Sequence, residues 1–248
     1  PELYLFTDAD IVHPPDNLRA LVARLLNGEL DLVSLMVRLR AESGAERFLI
    51  PAFVFFFAML YPFAWSSDRR RASAAAAGGC MLLRAAAYRR IGGYEALKGA
   101  LIDDCALAKE VKRGGAIWLG LSLETKSLRP YPGIADIWRM VARTAYTQLS
   151  CSPLRLLGAV IGLVITYLVP PLLVFARGPS AWIAGAAWAA MTLAFLPMIR
   201  FYRLSPLWAP LLPATALVYV AATIDSARRH WRGTGGQWKG RVAGQKAP

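Results

Sequence analysis

The chain has 248 residues, 56% of them hydrophobic and only 18% charged, with a formal net charge of +13. A soluble domain usually carries about 25% charge, so the deficit points to a membrane protein, provided the apolar residues are bunched. They are bunched in the second half, and the charge goes with them: from Ile137 onward twelve Lys/Arg face one acid, Asp225, while residues 1–136 are nearly neutral. A basic surplus beside apolar segments reads as contact with anionic lipid headgroups. No basic soluble face with interleaved aromatics is present, which argues against nucleic acid as a partner. Three cysteines, Cys80, Cys105 and Cys151, without CxxC or Cys/His spacing, argue against a zinc site or a disulfide framework. The sequence begins at Pro1, shows no signal peptide or N-terminal membrane helix, and is expected to lack its natural start.

Residues 2–6 are a short apolar run ending in Thr7-Asp8-Ala9-Asp10, the pattern of a buried strand opening into a loop. His13-Pro14-Pro15-Asp16 is a turn into a helix, on which Leu18, Leu21, Val22, Leu25 and Leu26 repeat at helical spacing until Gly28 stops it. Val33, Leu35, Val37 and Leu39 then alternate as in a strand. Strand–helix–strand is the unit of an α/β sheet. Residues 48–64 are continuously apolar but short of the roughly 20 needed to span a bilayer, and they contain Pro51 and Pro62. They read as an interfacial or re-entrant segment, with a buried core helix equally compatible with the length.

Beyond the small, flexible stretch 72–79, residues 80–83 suit a strand and 85–91 a short helix closed by Gly92-Gly93. Asp103 can cap a helix running to about residue 113, and 116–123 read as another strand. Over 135–149, Asp136, Arg139, Arg143 and Thr147 share one helical face, opposite Ile137, Met140, Val141, Ala145 and Leu149. Such a helix suits a membrane surface. Residues 156–176, 181–199 and 204–224 are each long enough to span a bilayer, with prolines that predict kinks. Three spans starting from the cytosol would put Arg228, Arg229, Arg232, Lys239 and Arg241 outside, against the positive-inside rule. Either one Pro-rich segment is re-entrant or the number of spans differs.

Two groups of carboxylates carry chemistry. Asp8 and Asp10, separated by one residue at the mouth of what is predicted to be a parallel strand, have the type and spacing to hold a hard divalent cation, Mg²⁺ or Mn²⁺. Such a cation absorbs the charge that grows on a departing diphosphate. A turn-holding Asp pair is the plain alternative, and the strand before it with the His-Pro-Pro after it favours the metal. Asp103 and Asp104 open a helix, where the N-terminus favours an ionised carboxylate, the form a general base needs. A cap explains one of the two and leaves the other available. Gly78-Gly79-Cys80 precedes this pair, and paired glycines at a strand start let backbone approach a ligand or simply make a turn.

The ordered set LYLFTDADI, GGCMLLRAAAYRRIGGYEAL, LIDDCALAKEV, an Arg-bearing amphipathic helix and membrane spans resembles the family 2 (GT-A) glycosyltransferases over essentially the whole chain. IPAFVFFFAMLYPFAW, RTAYTQLSCSP and GGQWKGR look like the hopene-associated (hopanoid biosynthesis) subgroup. The resemblance implies an α/β fold: a partial GT-A, Rossmann-like domain over 1–134, an interfacial helix over 135–153, about three transmembrane helices over 154–226 and a basic tail over 227–248. It implies Asp8 and Asp10 as metal ligands, Gly78, Gly79 and Cys80 on the acceptor side, Asp104 as catalytic base and Asp103 in the acidic position before it. Membrane-bound relatives carry Gln-x-x-Arg-Trp on the interfacial helix. Arg139 and Arg143 lie where that motif falls, but Thr144 replaces its Trp and no Gln precedes Arg143. Arg143 then faces either the donor diphosphate or lipid phosphate.

The implied activity is inverting, metal-dependent transfer from a nucleotide-sugar donor to a lipid, hopanoid-type acceptor, at a bacterial inner membrane with the catalytic domain facing the cytosol. A polysaccharide synthase and a non-catalytic truncated fragment are the alternatives. The family strands that hold the donor's nucleoside precede the Asp-x-Asp and are not in this sequence, so the isolated chain is expected to bind donor poorly. The tail 231–241 is expected to bind headgroups or to close over the site.

Overall fold

The computed structural model describes residues 1–97, 101–235, 237–238 and 241–242. The chain divides into two compact units, 1–40 with 56–130 and 41–55 with 131–248.

The first unit is built on β1 (Leu3–Thr7), β2 (Ile11–Val12), β3 (Leu32–Arg38), β4 (Cys80–Arg84) and β5 (Ile117–Ser127), a sheet ordered β1-β4-β3-β5-β2. Its helices are α1 (Asn17–Asn27), the end of α2 (Gly44–Leu60), α3 (Phe63–Ser67), α4 (Ala85–Arg90) and α5 (Asp103–Lys112). The periodic leucines of α1 place Leu21 and Leu25 in a core with Val33, Leu35, Val37 and Leu82. In a second core Leu107 and Val111 of α5 meet Leu32, Met81, Leu83 and Ile117. Each such side chain contributes roughly 1.5–3 kcal/mol when fully buried. With two cores on the sheet, β3 is buried continuously from Leu32 to Val37 instead of alternating. After α4, Gly92 and Gly93 adopt φ of +82° and +67°, a conformation that disfavours any side chain, and so turn the chain as expected.

One expectation is corrected. β1 does not join a parallel pair: it runs antiparallel to β4, with Thr7 opposite Cys80, and only β3 and β5 are parallel. The pairing has a direct consequence for the site. It sets the start of β4, Gly78-Gly79-Cys80, beside the end of β1, Thr7-Asp8, whereas parallel strands would put those residues at opposite ends.

In the second unit α2 begins around Glu46, a fully buried carboxylate that accepts from the backbone N–H groups of Glu42, Ser43 and Tyr131 at 2.7–2.8 Å. Further along α2, the carbonyl of Leu49 accepts from the Tyr219 hydroxyl at 2.8 Å, and Phe55 meets Phe195 edge-on. The segment read as interfacial is thus helix α2 through Pro51 as far as Leu60, buried at Leu49–Ala52 and exposed at Met59 and Leu60, followed by a break at Tyr61-Pro62 and the start of α3.

α6 (Ile134–Gln148) is the amphipathic helix, with Ile137, Val141, Ala142 and Tyr146 buried. It is fastened to α10 (Leu212–Trp231) by Trp138 donating to Asp225 and by the Tyr146 N–H donating to the Ser226 hydroxyl. Asp225, the one acid of the apolar half, also pairs with Arg229. Between them lie α7 (Pro153–Leu163), α8 (Val169–Leu173) and α9 (Pro179–Phe201). A π-helical turn at Val164–Leu168 precedes Pro170-Pro171, which cannot donate to the preceding turn.

Three segments, Pro153–Leu173, Pro179–Phe201 and Pro206–Trp231, are long and apolar enough to cross a membrane. The last extends beyond the predicted end at residue 224, because Asp225 and Arg229 pair along the helix face. Of the tail, residues 236, 239–240 and 243–248 lie outside the described residues, and with them much of the segment expected to meet headgroups.

Candidate active site

A cavity of about 350 Å³ opens at the end of β1, lined by Leu5, Phe6, Thr7, Asp8, Gly78, Met81, Tyr94 and Asp103. Both acidic motifs therefore reach one space, Asp8 from the strand end and Asp103 from the first turn of α5. Burial, then the charges of Asp10 and Asp103, push the Asp8 carboxyl above the usual range, while Arg129 pulls it down. Asp10 accepts a 2.6 Å hydrogen bond from the Ser127 hydroxyl, and its carbonyl accepts from the Leu128 N–H at 2.8 Å. The turn between β1 and β2 is thereby tied to the end of β5.

The cap expected at Asp103 falls one residue earlier, at Ile102, and both acids lie inside the first turn of α5. Their surroundings differ. Asp103 is exposed and borders the cavity. Asp104 is held: Oδ2 accepts from the Gly78 N–H at 2.9 Å and Oδ1 from the Cys105 N–H at 2.7 Å. Burial pushes the Asp104 carboxyl up, with Asp103 adding to the rise, and the two N–H donors oppose it. Beside it, burial and the Asp104 charge push the Cys105 thiol up to about 12, so Cys105 is a neutral neighbour and no nucleophile. Its side chain hydrogen-bonds the Tyr61 hydroxyl.

Gly79 faces Val37 and Ile11: a Cβ there would lie 3.1 Å from a Val37 methyl carbon. Its carbonyl accepts from the Thr7 hydroxyl at 2.9 Å. Cys80 is fully buried, its sulfur 3.9 Å from the Asn17 amide nitrogen, which donates to it. The three residues expected on the acceptor side thus differ: Gly78 lines the cavity, Gly79 joins β4 to β1, and Cys80 is core.

Residues 2–239 match the family model described as Glycosyl transferase family 21. The chain belongs to glycosyl transferase family 21. The glycosyltransferase expectation stands, and the family matched is 21 where the motif resemblance named family 2. Among solved structures the chain is similar to the mannosyltransferase PcManGT from Pyrobaculum calidifontis, solved in complex with GDP-Man and Mn²⁺. The TM-score is 0.50 at 21% identity, over 93% of this chain and 62% of that one, a likeness of fold. The chain thus spans less than two thirds of that protein's length. No curated protein matches it.

In this family 21 chain the carboxylates suit a hard cation. Asp8 and Asp10 are oxygen donors whose mutual repulsion a cation would relieve, and no group of three or more His, Cys, Asp or Glu side chains forms a metal cluster among the described residues. Two carboxylates, completed by donor phosphate and water, are what Mg²⁺-type sites use. Arg139 and Arg143 stand on α6, in the second unit. Arg139 is paired with Asp136 one turn earlier, and Arg143 is half-buried. Four residues of the site were given no role by the sequence: Tyr94, which borders the cavity, Arg129, which counters the charge of Asp8, and Ser127 and His13, which brace the Asp8–Asp10 turn. The glycine pair before Tyr94 was the available signal for that residue.

Proposed function

We propose that the chain carries the catalytic core of an inverting, metal-dependent glycosyltransferase that moves a sugar from a nucleotide-sugar donor to a lipid acceptor. The observation that supports this reading is the meeting of Asp8 and Asp103 at one cavity whose wall, Gly78, holds the Asp104 carboxylate. Asp8 and Asp10 would hold Mn²⁺ or Mg²⁺, which supplies charge neutralisation at the leaving diphosphate. Arg139 and Arg143 of α6 are proposed as phosphate-binding residues.

Asp104 takes the proton of the acceptor hydroxyl as that oxygen attacks the anomeric carbon. The bond to the diphosphate breaks, and the electron pair leaves with it. A single base and one in-line displacement invert the anomeric centre. A carboxylate offers about four lone-pair sites, so the bonds from Gly78 and Cys105 orient Asp104 without exhausting it. The three apolar segments anchor the enzyme, in this reading in a bacterial inner membrane with the sheet domain on the cytosolic side. Transfer from a panel of nucleotide sugars to membrane lipid extract, by the full-length protein, tests the activity. Absence of any transferred sugar, with every donor and with Mn²⁺ present, would reject it.

The acid side of the pH profile carries a signature. The base must be ionised, and desolvation raises the carboxyl of the partly buried Asp104 from its ordinary value. The fall of kcat/KM on acidification is therefore expected at higher pH than for a free carboxylate. Asp103→Asn removes a like charge that raises Asp104, so that limb should move to lower pH. A limb that stays put in this variant would remove Asp103 as the neighbour that tunes the base.

The acceptor is assigned as a lipid, hopanoid-type by the motif resemblance. The end of α2 exposes Met59 and Leu60 and leads to Tyr61, which is bonded to the neighbour of Asp104. An apolar approach ending beside the base suits an acceptor that is a lipid for most of its length and a hydroxyl at its tip. Met59→Ser with Leu60→Ser should reduce transfer to lipid about tenfold while leaving donor hydrolysis within twofold, on the order of the 1–3 kcal/mol that one apolar contact discriminates. Equal loss of both activities would count against an apolar acceptor path.

A further inference from the structure

A chain of hydrogen bonds passing through one imidazole links five segments of the first unit. The Thr7 hydroxyl donates to the carbonyl of Gly79 at 2.9 Å, and the same oxygen lies 2.9 Å from His13 Nε2. Thr7 has a single hydroxyl proton, and a carbonyl can only accept, so His13 Nε2 must be the donor to Thr7. A neutral imidazole that donates from Nε2 accepts at Nδ1. The group found there, 2.8 Å from Nδ1, is the Asn17 amide nitrogen, a donor. The far side of that amide agrees: Asn17 Oδ1 accepts from the Thr125 hydroxyl at 3.2 Å. Asn17 and Thr125 are both buried. The tautomer of His13 is thus fixed from both ends, and the chain of bonds runs from β5 through α1 and the His13 turn to the last residue of β1 and the start of β4.

Its position gives the chain of bonds a consequence. Thr7 immediately precedes Asp8, and Gly79, which receives the Thr7 proton and the Asp8 N–H (3.4 Å), immediately follows Gly78, whose N–H holds Asp104. One imidazole therefore braces the joint between the strand that presents the donor-side carboxylates and the loop that holds the base.

We infer that His13 is a positioning residue for the Asp8–Asp10 turn: through Thr7 it fixes the donor-side carboxylates in register with Gly78 and Asp104. The inference rests on the proposed cation at Asp8 and Asp10, and it adds a residue that neither touches the cation nor accepts the substrate proton. A Gln side chain can also accept at one atom and donate from another on the same planar group, so His13→Gln should preserve the brace in part, and His13→Phe should not.

The test uses the full-length protein in detergent with Mn²⁺ as probe, its affinity read by calorimetry in parallel with the thermal midpoint. His13→Phe and Thr7→Val should each weaken Mn²⁺ binding roughly tenfold, the lower end of the range for groups that orient metal ligands. His13→Gln should recover most of the affinity, and kcat should fall in His13→Phe with KM for the lipid acceptor unchanged. Thr7→Val keeps the side-chain shape and removes the hydroxyl, which guards against His13→Phe failing to fold. In ¹⁵N-histidine spectra, where His230 is the other histidine of the sequence, His13 should carry its proton on Nε2, and a proton on Nδ1 would overturn the inference. Wild-type Mn²⁺ affinity in folded Thr7→Val would overturn the inference while Asp8→Asn loses the metal. If Asp8→Asn itself retains the metal, the cation assignment fails, and the inference fails with it.

Discussion

Asp8→Asn is expected to abolish Mn²⁺-stimulated sugar transfer, with a loss of about 10³-fold, and Asp10→Asn to follow it. The size comes from the several kcal/mol that a cation contributes to a leaving group bearing charge, at 1.36 kcal/mol for each factor of ten. The Asp8 carboxyl is raised by burial and by two like charges, Asp10 and Asp103, with Arg129 acting against them. A site with that surplus is unfavourable until a cation enters it. Removing one charge relieves the repulsion, so Asp8→Asn should leave the thermal midpoint of the metal-free protein unchanged or higher, even as activity disappears. A variant that loses activity by unfolding would show the opposite. Titrating Mn²⁺ against donor turnover separates the cases: the metal dependence should vanish in Asp8→Asn and move to higher Mn²⁺ in Asp10→Asn, whose carboxylate also serves Ser127.

Asp104→Asn should cost between about 10² and 10⁴ in kcat, the range for removal of a positioned general base, with Mn²⁺ affinity unchanged. The geometry makes this a demanding substitution. Both Asp104 oxygens accept backbone N–H groups, so the amide nitrogen of Asn must face one of those donors. Leaving a buried donor unpaired costs roughly 1–3 kcal/mol, and a lowered thermal midpoint should accompany the loss of turnover. Asp104→Glu separates the two effects, because it keeps the acid and shifts its position. Transfer that survives Asp104→Asn at more than a tenth of the wild-type rate would assign the proton to another group, and Asp103, exposed on the same cavity, would be the next to examine.

The elements that hold these residues were legible because each has a local cause. The leucines of α1, the glycines closing α4 and the acids opening α5 depend on residues a few positions apart, and the structure places them as the spacing predicts, whereas the apolar run of β1, read as a buried strand, is a half-exposed edge strand with β4 on one side only. Strand direction is another matter. Nothing within residues 2–6 states that β1 will pair antiparallel with a strand beginning at Cys80, and that pairing brings the two motifs to one cavity. Likewise the apolar run after Glu46 does not announce that this carboxylate will be buried against the Tyr131 N–H, 85 positions along the chain.

The cap rule placed two acids at a helix start but could not say which would be bound by Gly78 and which would border the cavity. That depends on where the loop before β4 passes. His13 read as part of a turn because its partners Thr7, Asn17 and, through them, Gly79 and Thr125 come together only once three strands and a helix are assembled.

The most direct test of the shared site is anomalous scattering from crystals of the full-length protein grown with Mn²⁺ and a nucleoside diphosphate. The account expects a manganese peak coordinated by Asp8 and Asp10, facing the cavity that Gly78 and Asp103 line, with the Asp104 carboxylate across that same space. A manganese peak away from both carboxylates, or one separated from Asp104 by protein with no common cavity, would contradict it.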